Sequence, residues 1–120
     1  MPGERILIVD DEPSLRRALR ATLTALGFET TEAATGEQAL ALHGSGRFDF
    51  VLLDVNMPGI GGIETCRELR RREHNLQILI LSVRDRKEDK AIAFQAGADA
   101  YFTKPFSISD LLARLRAPIA

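Results

Sequence analysis

Three aspartates, a serine and a lysine, far apart along the chain, have the side chains needed for phosphoryl chemistry. Each follows an apolar stretch: Asp10 and Asp11 follow ILIV, Asp54 follows FVLL, Ser82 follows ILIL and Lys104 follows AYFT. A carboxylate can attack phosphorus and form an acyl phosphate. A cation, an ammonium group and a hydroxyl group can stabilise the oxygens of the group being transferred. This chemistry requires the five side chains to meet in one crevice.

The pattern around these residues predicts five strand–helix units, because apolar runs alternate with amphipathic segments. The predicted strands cover residues 5–9, 28–32, 48–53, 76–81 and 99–102. The first helix has Pro13 in its first turn and ends at Gly27, and the second begins at Thr35 with a capping box. The remaining helices cover 63–72, about 86–96, and a stretch that begins near Ser107. Among these helices, 86–96 has the weakest pattern.

This alternation predicts an α/β fold, a five-stranded parallel sheet with helices on both faces. The runs ILIV, FVLL and ILIL are continuously apolar, as in strands covered on both sides, whereas FETTE and DAYF suit the edges. The strand order 2-1-3-4-5, a flavodoxin-like (βα)5 three-layer sandwich, satisfies this pattern. In that order all strands end at one rim, where such sheets bind ligands, so the five side chains are expected to meet there.

Three carboxylates in one crevice repel one another, and a divalent cation would remove the conflict. Carboxylates, a backbone carbonyl and water are the ligands of a hard ion, so the cofactor expected is Mg2+. A softer metal is not indicated, since Cys66, His43 and His74 lie elsewhere in the pattern.

Composition sets further limits. The chain has 120 residues and a net charge of -1, which suits one domain and offers no basic excess for binding nucleic acid. No apolar run approaches the roughly 20 residues that span a bilayer, and the N-terminus lacks a signal-peptide pattern. The single Cys66 is expected to be a buried thiol. A cytoplasmic protein without membrane contact is therefore expected.

The motifs resemble the receiver domain of bacterial two-component response regulators, with its CheY-like fold, over residues 1–120. The resemblance is carried by LIVDDE (7–12), VLLDVNMPG (51–59), LSVR (81–84), QAGADAYFTKPF (95–106) and DLLARLRA (110–117). It implies a phosphorylatable signalling switch that catalyses only its own phosphotransfer and dephosphorylation.

The resemblance also implies a role for each residue at the rim. Asp54 would accept a phosphoryl group from a phosphohistidine of a sensor histidine kinase. Asp11 would bind Mg2+ directly, Asp10 mainly through water, and Asn56 through its backbone carbonyl. Lys104 would pair with Asp54 and then with the phosphoryl oxygens.

A second set of implied roles concerns the switch. Ser82 would hydrogen-bond the phosphoryl group and move the loop that follows it, and Tyr101 would swing inward. The peptide bond between Lys104 and Pro105 would be cis. The face made by the fourth helix, fifth strand and fifth helix would be remodelled.

The C-terminal motif most resembles the OmpR/PhoB class, transcription factors whose receivers dimerise through that face. Five residues fall at plausible positions for the salt bridges: Lys90, Asp99, Asp110, Arg114 and Arg116. Ala100 stands where the class has a second acid, so one pair is expected to be lost. The expected function is regulation of transcription through an attached effector domain, and the alternative is a single-domain regulator that acts by docking.

Two other classes compete with this reading. A metal-dependent phosphatase with an aspartyl nucleophile needs a general acid two residues later, where this chain has Asn56. A flavin-binding module needs a phosphate loop after the first strand, where this chain has Asp10-Asp11-Glu12. Among the remaining side chains, Arg16, Arg70 and His43 are expected on solvated surfaces.

Overall fold

A computed structural model describes residues 4–55 and 61–116. Ten elements follow one another along the chain: β1 (Arg5–Val9), α1 (Pro13–Ala25), β2 (Glu29–Ala33), α2 (Gly36–Ser45), β3 (Phe50–Asp54), α3 (Gly61–Arg72), β4 (Gln77–Ser82), α4 (Lys87–Gln95), β5 (Ala100–Thr103) and α5 (Ile108–Arg116). The predicted elements are confirmed, with boundaries that shift by one or two residues. The shift of β3 towards the C-terminus makes Asp54 its last residue, which pairs with Leu81 of β4.

All strand pairs are parallel and the order is β2-β1-β3-β4-β5, as predicted. Every residue of β3 is buried, and β1 and β4 are buried beyond their first residues, whereas the edge strands are mostly half-buried. The apolar runs therefore identified the central strands because both faces of those strands are covered by helices.

Successive side chains of each strand point to opposite faces, which creates two cores. On one face Ile6, Ile8 and Leu52 pack with Leu19 of α1 and Leu111 of α5. On the other face a separate cluster contains Leu7, Val9, Leu53, Cys66 and Ala93, the last two contributed by α3 and α4. Strands β1, β3 and β4 contribute side chains to both cores, so their carboxyl ends follow segments that are packed on both faces of the sheet.

Cys66 is fully buried in the second core, as predicted. Desolvation by burial raises the pKa of its thiol to about 11. The thiol is therefore protonated at neutral pH and acts as a small apolar side chain.

Helix α2 begins after Thr35 as predicted, but the Gln38 side chain reaches the N–H of the residue before the N-cap rather than that of the N-cap itself. The Thr35 hydroxyl accepts a hydrogen bond from the backbone N–H of Gln38 at 3.1 Å. The Gln38 side chain in turn accepts from the backbone N–H of Ala34 at 2.7 Å. Among the residues described, no helix combines the length and hydrophobicity that a bilayer-spanning segment needs.

Candidate functional site

The carboxyl ends of four strands meet at one rim. Asp10 follows β1, Asp54 and Ser82 end β3 and β4, and Lys104 follows β5. Asp10, Asp54 and Ser82 are buried, with 1%, 5% and 0% of their surface exposed. Polar side chains buried this deeply need specific hydrogen-bond or ionic partners, whereas the polar side chains of an ordinary turn are exposed to solvent.

Three carboxylates form one cluster at this rim. Oxygen atoms of Asp10, Asp11 and Asp54 all lie within 4.8 Å of one another, and Asp11 is exposed to solvent. Two oxygens bound to one Mg2+ at about 2.1 Å would lie about 3 to 4 Å apart. The cluster therefore fits a small hard cation after a slight contraction, and its exposed member leaves a path for entry.

Lys104 supplies the positive charge next to this cluster. Its Nζ lies 3.0 Å from Oδ2 of Asp10 and 3.9 Å from Oδ2 of Asp54. The ammonium group is thus shared between two acids and lies closer to Asp10. The Lys104–Pro105 peptide bond is cis.

Ser82 provides the hydroxyl group. Its Oγ accepts a hydrogen bond from the backbone N–H of Arg84 at 3.0 Å. A hydroxyl that accepts one bond keeps its own proton for donation. The backbone carbonyl of Ser82 accepts from the N–H of Lys104 at 2.6 Å, so the two residues are also tied through the main chain.

Tyr101 is linked to Ser82 through the loop after β4. The tyrosine hydroxyl donates to the carbonyl of Arg84 at 2.7 Å, and Lys90 Nζ lies 5.9 Å from the ring centre. A cavity of about 160 Å3 beside the ring is also lined by Val55 and Ile92. Arg84 therefore contacts both the hydroxyl of the crevice and the aromatic side chain of β5.

Gly62 was not singled out from the sequence, yet it packs against the backbone of Asp54 and Val55. A Cβ atom at this position would be 2.2 Å from the Cα of Val55 and 2.4 Å from the carbonyl oxygen of Asp54. The first turn of α3 can approach the end of β3 only because this residue has no side chain. The Gly61-Gly62 pair was a signal of close backbone approach in the sequence.

Arg16, expected on a solvated surface, is mostly buried, and this expectation was wrong. Its guanidinium lies between the carbonyl oxygen of Asp10 and the carboxylate of Glu32 on β2. Amphipathic spacing places a residue on a helix but does not show that a charged side chain finds partners across two strands.

The expectation of a solvated surface was also wrong for Arg70 and His43. Arg70 donates to the carbonyl of Gly97 at 2.9 and 3.0 Å and pairs with Asp99 at 2.5 Å. His43 lies 2.8 Å from a carboxylate oxygen of Glu73, and its side chain is only 11% exposed. Both pairs join segments about 30 residues apart in the chain, which no local pattern indicates.

The residues expected on a dimer face differ in their surroundings. Asp99 is paired with Arg70 and also accepts from the backbone N–H of Ile78 at 2.8 Å, and Arg114 donates to Gln77 at 3.1 Å. Lys90 is the residue over the Tyr101 ring. Asp110 lies in the first turn of α5 and Arg116 in the last.

Asn56, expected to lend a carbonyl to the metal, lies outside the described residues.

Comparisons with known proteins agree with this geometry. Residues 6–116 match the family model described as the response regulator receiver domain. Response regulator MprA of Mycolicibacterium vanbaalenii is 45% identical over 113 residues, which is 94% of this chain and 49% of that protein. The chain thus spans about half the length of the curated relatives that it matches.

Solved structures give the same result. TrrA of Thermotoga maritima in complex with Mg2+-BeF is 37% identical, with a TM-score of 0.85 over 93% of this chain and 96% of that chain. The chemotaxis protein CheY4 of Vibrio cholerae is 35% identical, with a TM-score of 0.88 over 94% and 96%. The fold is therefore CheY-like, and the chain belongs to the response regulator receiver domain family of two-component systems.

Proposed function

We propose that this domain accepts a phosphoryl group on Asp54 from a histidine kinase and uses it to switch the face formed by α4, β5 and α5. The main support is the convergence of Asp10, Asp11, Asp54 and Lys104 at one rim, with Lys104 Nζ 3.0 and 3.9 Å from the two buried acids. A nucleophile, a ligand set for a cation and a fixed positive charge are the parts that phosphoryl transfer requires.

In the proposed step, a carboxylate oxygen of Asp54 attacks phosphorus while the bond from phosphorus to the imidazole nitrogen of the donor breaks. The electron pair of that bond returns to the imidazole, and Asp54 becomes an acyl phosphate. Mg2+, held by Asp10, Asp11 and Asp54, would neutralise charge on the phosphoryl oxygens when bound. Lys104 would move from its contact with Asp10 towards the new oxygens, and Ser82 would donate its free proton to one of them.

A protein donor is supported by an apolar cleft next to the crevice. This cleft, about 530 Å3 in volume, lies between α1 and the segment that leads into α5, and it shares Lys104 with the crevice. Val83 and Ile108 on its rim are exposed although they are large and apolar. Because the cleft is continuous with the site, we propose that the kinase segment carrying the phosphohistidine packs here.

The proposed switch uses the contacts of Arg84. When Ser82 turns to the phosphoryl group, the Arg84 N–H loses its acceptor, and the loop can move with the hydroxyl. The carbonyl that holds Tyr101 would then shift, which would free the ring to enter the neighbouring cavity. Phosphorylation thereby biases a two-state element, since only one state satisfies the new charge.

We propose that the output is regulation of transcription through an effector domain, as in the class that the C-terminal motif resembles. Curated relatives about twice as long as this chain are consistent with an attached domain. A dimer through α4, β5 and α5 would be weak, because Ala100 replaces one acid and Asp99 already has an intrachain partner in Arg70.

The proposal is tested by incubating the protein with acetyl phosphate, a small phosphoryl donor. The wild type should gain the mass of one phosphoryl group in Mg2+ and none after the cation is removed with EDTA. Equal labelling in EDTA would contradict the assigned role of the carboxylate cluster.

Mg2+ should also raise the melting temperature without any donor. At a concentration ten times the dissociation constant, a ligand that binds only the folded state contributes about 1.4 kcal/mol. For a domain of this size the melting temperature should rise by about 5 °C. Calorimetry with NaCl of matched ionic strength is the control, and the same rise in NaCl would indicate screening rather than a site.

Replacing Ser82 with alanine should separate phosphorylation from switching. The chain has one tyrosine and no tryptophan, so its intrinsic fluorescence reports on Tyr101 alone. Saturating Mg2+ and beryllofluoride, a phosphoryl mimic, should change this fluorescence in the wild type and in Ser45→Ala, a control at the end of α2. Ser82→Ala should show little of this fluorescence change, because no hydroxyl group then links the phosphoryl mimic to the loop that contains Arg84. A full change in Ser82→Ala would contradict the coupling.

A further inference from the structure

Arg16 holds the backbone of one candidate metal ligand from a position on α1. Its Nη1 donates to the carbonyl oxygen of Asp10 at 2.7 Å, and its Nε donates to Oε1 of Glu32 at 2.9 Å. The Arg16 side chain is only 16% exposed. One guanidinium group thus links the end of β1 to β2 inside the protein.

The carbonyl of Asp10 requires such a donor. Strand β1 ends at Val9, so this carbonyl lies beyond the hydrogen-bond ladder of the sheet, although Asp10 is only 1% exposed. A buried carbonyl away from water needs a hydrogen-bond partner, and Arg16 provides one.

The other polar groups of Asp10 are also held. Its backbone N–H donates to the carbonyl of Ala33 at 3.1 Å. Its Oδ1 accepts from the N–H of Glu12 at 2.9 Å, and its Oδ2 accepts from Lys104. The carbonyl held by Arg16 belongs to the peptide bond between Asp10 and Asp11. Because the atoms of this peptide unit lie in one plane, a hydrogen bond that fixes its oxygen also restricts the position of the Asp11 N–H and Cα.

Glu32 gives the guanidinium a fixed anchor. It also accepts from Nη1 of Arg20 at 3.0 Å, and the hydrogen bond from Arg20 is the main reason that its pKa lies below the usual value. Glu32 is therefore ionised at neutral pH. The planar fork of arginine can reach two acceptors at once, which the single ammonium group of lysine does less well.

We propose that Arg16 is a positioning residue for the phosphoacceptor site, which presets the Asp10–Asp11 peptide so that the carboxylates are arranged for a divalent cation before it binds. This inference rests on the proposed function. Arg16 does not touch the reacting atoms: it acts through the main chain of Asp10 and the carboxylate of Glu32.

The test is the affinity of the folded protein for Mg2+ alone, measured by calorimetric titration. Arg16→Gln should weaken binding by about tenfold, the effect typical of losing a group that orients a metal ligand. Arg16→Lys, which keeps the charge, should recover only part of the loss. Arg17→Gln removes the same charge from an exposed neighbour on α1 and should bind as the wild type does.

Labelling by acetyl phosphate gives a second readout. The Arg16→Gln rate should fall at low Mg2+ and return close to the wild-type rate when Mg2+ is saturating, because only the arrangement of the ligands has changed. If Arg16→Gln does not fold, Arg16→Lys and Glu32→Gln should both bind Mg2+ more weakly than Arg17→Gln.

The outcomes separate the two proposals. A lower melting temperature with an unchanged Mg2+ affinity would show a purely structural role and overturn the inference about Arg16. Failure of the wild type to bind Mg2+ or to accept a phosphoryl group would instead overturn the proposed function.

Discussion

Replacing Asp54 with asparagine is expected to abolish labelling by acetyl phosphate. The asparagine amide has nearly the same shape but no carboxylate oxygen to attack phosphorus, so no acyl phosphate can form. The variant should remain folded, since the exchange removes one of three clustered negative charges and leaves the backbone of β3 unchanged. Its melting temperature without Mg2+ should be at least that of the wild type. Intact-protein mass spectrometry measures the labelled fraction.

Asp49→Asn is the matched control for this result. Asp49 precedes the same strand at its opposite end, where its carboxylate accepts the N–H of Arg5 at 2.8 Å. An asparagine can keep that hydrogen bond, so labelling should equal that of the wild type. Substantial labelling of folded Asp54→Asn would assign the nucleophile to another residue.

Replacing Gly62 with alanine is expected to have the largest effect on stability. The new Cβ would be 2.2 Å from the Cα of Val55, so α3 and the end of β3 would have to separate. Overpacking of this kind costs about 3 kcal/mol, the upper part of the usual range, because backbone atoms rather than a flexible side chain must move. The melting temperature should fall by about 10 °C. Labelling should also slow, since Asp54 is displaced from Lys104.

Gly44→Ala controls for the loss of glycine itself. Gly44 lies in α2, where an added Cβ would meet no atom within 4 Å. Alanine there should stabilise the fold by about 0.5 kcal/mol because the unfolded chain loses freedom. Thermal unfolding of the two variants should therefore differ in sign. If Gly62→Ala kept the melting temperature of the wild type, the backbone at Gly62 would not be in close contact with that of Asp54 and Val55.

The strands and helices could be predicted closely because their signals are local. The continuous apolar runs of β1, β3 and β4 separated central strands from edges, and a parallel sheet then allowed one sensible order. The same reasoning placed Asp10, Asp54, Ser82 and Lys104 at one rim, since parallel strands end on the same side. The end of β3 needed an adjustment, because Asp54 still pairs in the ladder with β4.

The hydrogen-bond and ion-pair partners of individual side chains could not be predicted in the same way. Arg16, Arg70 and His43 have the spacing of exposed helical residues, yet each is bound to a group outside its own helix. Lys104 lies nearer to Asp10 than to Asp54, a difference of 0.9 Å (3.9 minus 3.0) that depends on how strands β1, β3 and β5 are spaced.

The amino-acid sequence alone predicted a kind of chemistry, and it determined the order of the strands and the rim at which Asp10, Asp54, Ser82 and Lys104 lie, because residue type and periodicity of side chains carry that information. The tertiary structure decided how closely α3 approaches β3 at Gly62 and which acceptors the Arg16 guanidinium reaches. These are distances between segments far apart in the chain, and they arise only when the layers pack against one another.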